Sequence, residues 1–303
     1  MPNVLEYSKI FQPSLDKQVV QESTTGWMEA NANLIKYNGG NEVKLPNILM
    51  DGLADYDRTN GFVGGDVTLE WKTYSLTQDR GRTFSIDAMD VDETNFIVTA
   101  GTVMGEFQRV QVIPEIDAYR YSKLATLAIG AGQTRSIAIT ESNVLAEILD
   151  DLAKMEDVIG AKDVIITMSP VLANLLSKAG KELINKAVLA KGGLSVEVQA
   201  LNDNAIVKAP SKLLKTAFEF KDGVTSGQEA GGFAAAAGAL DLNWIISTKD
   251  APIAISKTDK VRTFTPDQNQ KADAWKVDYR KYHDLWVPAS KLTSIYANTK
   301  PSA

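Results

Sequence analysis

Two runs of strict alternation dominate the first third of the chain. Val67, Leu69 and Trp71 alternate with Asp66, Thr68, Glu70 and Lys72, and Phe84, Ile86 and Ala88 alternate with Ser85 and Asp87. A period of two places every apolar side chain of a strand on one face. Gln78-Asp79-Arg80-Gly81 lies between the runs and reads as a turn, so the spacing predicts a long β-hairpin over residues 66–88. A two-stranded ribbon is marginally stable in water, and its apolar stripe demands a cover. That cover is either the rest of the same domain or a neighbouring copy of the chain.

Composition removes most enzymatic designs. The 303 residues include no cysteine, which rules out disulfides, thiolate metal sites, iron–sulfur clusters and cysteine nucleophiles. A catalytic triad or a histidine-based zinc site would have to be built on His283, the single histidine. Residues 1–95 carry 15 acidic against 8 basic side chains and the remainder 23 against 24, with no basic block, so nucleic-acid tracking is disfavoured. The apolar runs are too short to cross a bilayer. Met1-Pro2-Asn3-Val4-Leu5-Glu6-Tyr7 lacks the basic region and apolar stretch of a secretion signal, so folding in a cytoplasm is expected.

Residues 1–45 show no sustained period and read as an extended arm, with one short helix near 14–21 and with Trp27 and Tyr37 as docking groups. A long helix is expected over 94–129, kinked or split at Pro114, with Arg109, Arg120 and Lys123 outside. Beyond Gly130-Ala131-Gly132, Thr140 is placed to cap a helix whose stripe is Leu145, Ile148, Leu149, Leu152, Met155 and Ile159 before Gly160. Val164-Ile165-Ile166 reads as a buried strand, and Ser169-Pro170 as the N-cap and first residue of another helix. From Leu194 the pattern is largely β, with Trp275, Val277, Tyr279, Leu285 and Val287 on one parity of the last strands.

Three motifs invite a chemical reading, and each has a plainer one. Gly130 to Ser136 resembles a phosphate loop but lacks the Gly-Lys-Ser/Thr ending, and reads as a connector. Asp87, Asp90, Asp92 and Glu93 lack the spacing of a calcium loop and suit a helix start instead, while Asp150-Asp151 reads as a solvated helix face. His283 lies among apolar residues with no nucleophile motif to serve. No catalytic, cofactor-binding or metal-binding residue is therefore assigned.

The succession of arm, hairpin, long helix, α/β lobe and returning strands resembles the major capsid proteins of tailed bacteriophages, especially those infecting Gram-positive hosts. The likeness is carried by Gly64-Gly65-Asp66-Val67-Thr68-Leu69-Glu70-Trp71 through Arg82, by Val112-Ile113-Pro114-Glu115-Ile116-Asp117-Ala118-Tyr119-Arg120, and by Asp278 to Pro288. The resemblance implies an α+β chain of the Hong Kong 97-like capsid fold. It implies an N-terminal arm at 1–45, an extended loop region at 46–93, a spine helix at 94–129, a mainly axial domain at 130–243 and returning peripheral strands at 244–303.

On that resemblance the chain builds an icosahedral shell around double-stranded DNA, as pentamers and hexamers of itself. Trp27, Val67, Leu69, Trp71, Arg80, Arg82, Phe84 and Ile86 become expected intersubunit residues, the two arginines through ion pairs between copies. A separate scaffolding protein and a portal are expected partners, with DNA enclosed but not read, no membrane and no cofactor. Assembly in a bacterial cytoplasm and residence in the virion follow. Two alternatives stay open: a prokaryotic protein nanocompartment of the encapsulin type, and a soluble α/β enzyme using carboxylates.

Overall fold

The structure, a computed structural model, describes residues 22–34, 36–37, 42–59, 61–87, 103–191 and 194–302. The short helix expected near 14–21, the carboxylates Asp90, Asp92 and Glu93 and the helix start near Thr94 lie outside the described residues. A 3-10 segment, Gly26–Leu34, comes first, followed by strands β1 (Lys36–Tyr37), β2 (Glu42–Met50), β3 (Val67–Ser75) and β4 (Gln78–Asp87). A helical stretch then ends in α1 (Ile113–Gly130). After it come β5 (Thr134–Ser136), α2 (Val144–Ile159), β6 (Val164–Met168), α3 (Pro170–Ala179), β7 (Ile184–Lys191), β8 (Leu194–Leu201) and β9 (Asn204–Lys208). The chain closes with β10 (Phe218–Phe220), β11 (Phe233–Ala235), β12 (Leu242–Thr248), β13 (Ile253–Phe264), β14 (Ala274–Trp286) and β15 (Ile295–Thr299).

The expected hairpin over 66–88 does not form. β3 pairs antiparallel with β2, and β4 pairs antiparallel with β14, so the two alternating runs belong to different sheets. The reason lies in the two residues that join them. Leu76 is buried, and its carbonyl accepts the Tyr282 hydroxyl at 3.1 Å. Thr77 gives its amide and its hydroxyl to the Asp284 carboxylate at 2.8 and 2.9 Å. With both residues held, the chain runs straight through, and Gln78 to Gly81 become strand instead of turn. Gly81 is needed there because a Cβ would stand 2.8 Å from the Tyr279 carbonyl oxygen on β14.

The long helix is continuous from 103 to 130, and Pro114 neither breaks nor splits it. Proline lacks the N–H for an ordinary helical bond and crowds the carbonyl of the preceding turn. The helix widens just before it into a π-helical turn, Gln108–Val112, where the Ile113 amide bonds to the Gln108 carbonyl five residues back. Arg109 stays exposed beside Glu106, as expected, but Arg120 is buried. Its guanidinium reaches Glu29 at 2.5 Å and the Thr25 hydroxyl at 3.1 Å, because the N-terminal segment packs over that side of the helix.

One turn earlier, the buried Asp117 carboxylate anchors the same segment. It accepts the hydroxyls of Ser23, Thr24 and Thr25 at 2.5, 2.7 and 2.6 Å and the amides of Thr24 and Thr25 at 2.8 and 3.2 Å. Burial without partners would make this carboxylate costly, and five donors offset that cost.

Seven strands in the order β5-β15-β12-β6-β9-β8-β7 form the central sheet. Pleating sends Ile165, Ile245 and Ala297 to the face packed on α1, and Ile166, Ile246 and Tyr296 to the face packed on α2 and α3. The apolar stripe of α2 is buried as expected, and Gly160 ends the helix with φ +73°. The helix starts later than expected, however, with Asn143 and not Thr140 as its N-cap. Ser169 caps α3 by accepting the Leu172 amide at 3.3 Å.

Two further expectations need correction. Asp151 is buried, not solvated: it accepts Trp244 Nε1–H at 3.1 Å and Asn298 Nδ2–H at 2.7 Å and pairs with Arg135 at 3.0 Å. Residues 244–299 are not one set of returning strands. β12 and β15 complete the central sheet, while β13 and β14 join β4 in a separate three-stranded sheet against the start of the long helix.

Replacing Asp117 by Ala is expected to cost about 3 kcal/mol, because several buried donors lose their acceptor at once; urea unfolding measures this, and amide exchange should rise across residues 23–28. Burial opposes the charge on Glu29, yet the Arg120 guanidinium beside it outweighs burial and holds the carboxyl below 4.5. A depressed folded-state pKa stabilises the fold above pH 4.5 and loses that contribution as pH falls through the folded value. Glu29→Gln is therefore expected to flatten the acid limb of the stability–pH curve below pH 4.5, measured by urea titration at fixed pH steps.

Candidate assembly interface

The true hairpin is β2 with β3, closed by residues 51–66. Its backbone register sets Met50 opposite Val67, Ile48 opposite Leu69 and Pro46 opposite Trp71. The root is fastened to the body of the molecule: Val43 and Leu76 are buried with Ile253, Ile255, Tyr282 and Trp286, and Tyr74 packs on that cluster with its ring 6.0 Å from Trp286. Beyond the root, the large apolar side chains described on the ribbon are exposed.

Val67 is 70% exposed, and Leu69, Trp71 and Met50 are also open to solvent. At the tip Leu53 is 108% and Phe62 90% exposed. The tip is nevertheless shaped. Asp57 and Gly61 exchange backbone hydrogen bonds, Asp51 Oδ2 accepts the Asp66 amide at 2.8 Å, and the Tyr56 and Phe62 rings stand 4.9 Å apart. Apolar side chains left in water on a preformed scaffold are the mark of a surface awaiting a partner. Asp51, Asp55, Asp57 and Asp66 against Arg58 also make the tip acidic.

Of the residues expected between subunits, Val67, Leu69 and Trp71 lie together on this ribbon. The other five make their contacts within the chain. Trp27 is buried in the core shared with α1. Phe84 and Ile86 pack with Val112, Ile116 and Val277, because β4 lies in the sheet that faces the long helix. Arg80 forms an ion pair with Glu115 at 2.6 Å, and Arg82, exposed, donates to the Glu229 carbonyl at 3.1 Å. Sequence reasoning missed the apolar tip residues Met50, Leu53, Phe62 and Val63. Their signal was Phe62-Val63 framed by glycines, which marks a turn without telling its exposure.

The remaining motifs take structural places. His283 is buried, and burial together with Arg120, Lys281 and Arg80 pushes its pKa well below 6.5, so the ring is neutral; its edge meets the Tyr119 ring. Thr134 to Ser136, in the glycine-flanked segment, form an edge strand parallel to β15. Among the described residues no group of three His, Asp or Glu side chains is placed to hold a metal, and no helix is long and apolar enough to cross a membrane.

No protein-family model matches the sequence, and no curated protein is detectably similar to it. Solved structures are similar in fold. The mature capsid of bacteriophage PhiM1 matches with a TM-score of 0.56 at 12% identity, covering 88% of this chain and 84% of that one. The capsid of Cyanophage P-SCSP1u matches with a TM-score of 0.55 at 11% identity, covering 88% and 86%. A virus-like particle from Pyrococcus furiosus matches with a TM-score of 0.51 at 10% identity, covering 97% and 99%. The chain thus has the α+β fold of phage capsid shells.

Because Leu53 and Phe62 are almost wholly exposed at the tip, Leu53→Ser and Phe62→Ser are each expected to change the unfolding free energy of the single subunit by no more than about 0.5 kcal/mol. Leu76→Ala at the root is expected to cost about 3 kcal/mol by removing buried apolar volume. Chemical denaturation of dissociated subunits checks both.

Proposed function

We propose that this chain is the major capsid protein of a tailed bacteriophage, assembling with copies of itself into the icosahedral shell that encloses double-stranded DNA. The observation that carries the reading is the ribbon of β2 and β3, anchored at its root and exposing Met50, Leu53, Phe62, Val67 and Leu69 beyond it. Within one molecule that exposed surface is a liability; between copies its burial is a driving force, at about 25 cal/mol per Å² removed from water. Many such exchanges close a shell although each contact is modest.

On this reading Val67, Leu69 and Trp71, with Met50 and the tip, lie against an adjacent subunit. The extended loop is residues 42–75, in place of the expected 46–93, and its hairpin is β2 with β3 in place of the expected 66–88. The seven-stranded sheet with α2 and α3 is the axial lobe, and the sheet of β4, β13 and β14 with the long helix is the peripheral lobe. The shell protein works with a scaffolding protein and a portal, assembles in the host cytoplasm and encloses DNA without reading its sequence. The acidic tip, and the lack of any basic block in the sequence, suit a container that does not grip its contents.

A nanocompartment shell that loads protein cargo is the second reading. It is favoured by the nearly end-to-end match to the Pyrococcus particle. The contents of particles purified from the native source separate the two: nucleic acid supports the phage head, and a packaged protein supports the compartment.

Electron microscopy of the expressed wild-type chain, alone and with its scaffold, is expected to reveal closed shells. Trp71→Asp places a charge in the apolar contact and is expected to lower assembly by roughly tenfold or more while circular dichroism stays that of the folded subunit. Wild-type yields of shells from that variant would sink the interface assignment.

A further inference from the structure

Between β10 and β11 the chain leaves the central-sheet lobe, crosses to the three-stranded sheet and returns. The root of this excursion is apolar. Phe218 and Phe233 pack on the main core with ring centroids 5.4 Å apart, and the Phe220 ring stands 5.7 Å from Tyr119 on α1. The far end, residues 221–232, is built differently. It has no buried apolar side chain, and two arginines of β4 hold it by its backbone.

Arg80 donates to the carbonyls of Lys221 at 2.8 Å and Gly232 at 3.2 Å, while its Nε–H holds Glu115 on α1. Arg82 donates through both terminal nitrogens to the Glu229 carbonyl, at 3.2 and 3.1 Å. The loop is shaped around that guanidinium. A Cβ on Gly223 or Gly231 would stand 3.1 or 3.3 Å from Arg82 Nη1, and both glycines have positive φ, +77° and +67°. The loop is also organised within itself. The Asp222 carboxylate accepts the amides of Val224 and Thr225 and the Thr225 hydroxyl at 2.8, 2.8 and 2.6 Å, and Glu229 accepts the Gly227 amide at 2.9 Å.

We infer that residues 221–232 form a detachable strap that fixes the orientation of the three-stranded sheet relative to the central-sheet lobe, with Arg82 as its release point. A preformed loop with an apolar root and a polar, solvent-open end separates as a unit, since opening it exposes carbonyls and guanidinium groups that water can satisfy. Arg80 keeps its Glu115 partner whether the strap is on or off. Arg82 is exposed and has no carboxylate partner among the described contacts, so its grip on Glu229 is the one lost first. The inference stands apart from the shell reading, because its test is made on single subunits.

The bond after Glu229 belongs to the carbonyl that Arg82 holds, which makes a Glu-specific protease a direct probe. Arg82→Gln in the full chain is expected to speed cleavage after Glu229 by about tenfold, following the larger open population. The absence of cysteine lets two dyes be placed cleanly, at Lys162→Cys in the central-sheet lobe and Lys271→Cys in the exposed turn between β13 and β14. Single-molecule energy transfer between them is expected to be one narrow peak in the parent and broad in Arg82→Gln. Gly223→Ala, which crowds the same guanidinium, should act in the same direction, and Arg109→Gln, whose described partner is Glu106 on the long helix, should change neither readout. An unchanged cleavage rate in Arg82→Gln and Gly223→Ala would overturn the strap. Faster cleavage with an unchanged transfer peak would overturn its role in fixing the two lobes.

Discussion

The buried Asp284 carboxylate receives the Thr77 amide, the Thr77 hydroxyl and, at 2.5 Å, the Tyr119 hydroxyl. Three parts of the molecule meet there: the junction of β3 and β4, the long helix and the last long strand. Burial and the hydrogen bond to Asp284 push the Tyr119 hydroxyl far above its ordinary value of 10, so it remains a donor throughout the physiological range. A buried charge of this kind is tolerated only where its donors are supplied, and the donors are what stop the chain from turning back at Gln78. With the junction held straight, β4 is left to β14, and β3 takes β2.

That partition explains how one chain carries both a closed core and an open ribbon. β4 turns its apolar residues toward the long helix, where Phe84 meets Phe107 edge-on at 4.8 Å. β3 belongs to a ribbon that leaves Val67 and Leu69 exposed. The long helix serves both sides through its buried polar residues, with Asp117 and Arg120 holding the N-terminal segment and Tyr119 holding the ribbon's root. Buried polar groups specify a unique arrangement more sharply than apolar contacts, which tolerate sliding. Accurate placement of the ribbon matters most if its target lies on another molecule.

Much of the fold was legible in the sequence because its elements are local. The stripe of α2, the Ser169-Pro170 start of α3 and the buried strand β6 all follow from periodicity and capping within a few residues. That Phe84 and Ile86 pack on the long helix is not legible locally, because alternation reveals that a strand has two faces, not what lies against each. Asp151 misleads in the same way: it looks like a surface residue until Trp244 and Asn298, distant in sequence, are in place to donate to it.

The sequence by itself determined the α+β class, the positions of the principal helices, the presence of a strand at each alternating run and the exclusion of cysteine chemistry. Each depends on side-chain period, capping or composition, which act over a turn or two of chain. Only the tertiary structure decided that the strands at 67–75 and 78–87 part company, that the free ribbon spans 42–75, and that β12 and β15 belong to the central sheet. Strand pairing is set by contacts between residues as far apart as Thr77 and Asp284, and a local pattern carries no record of them.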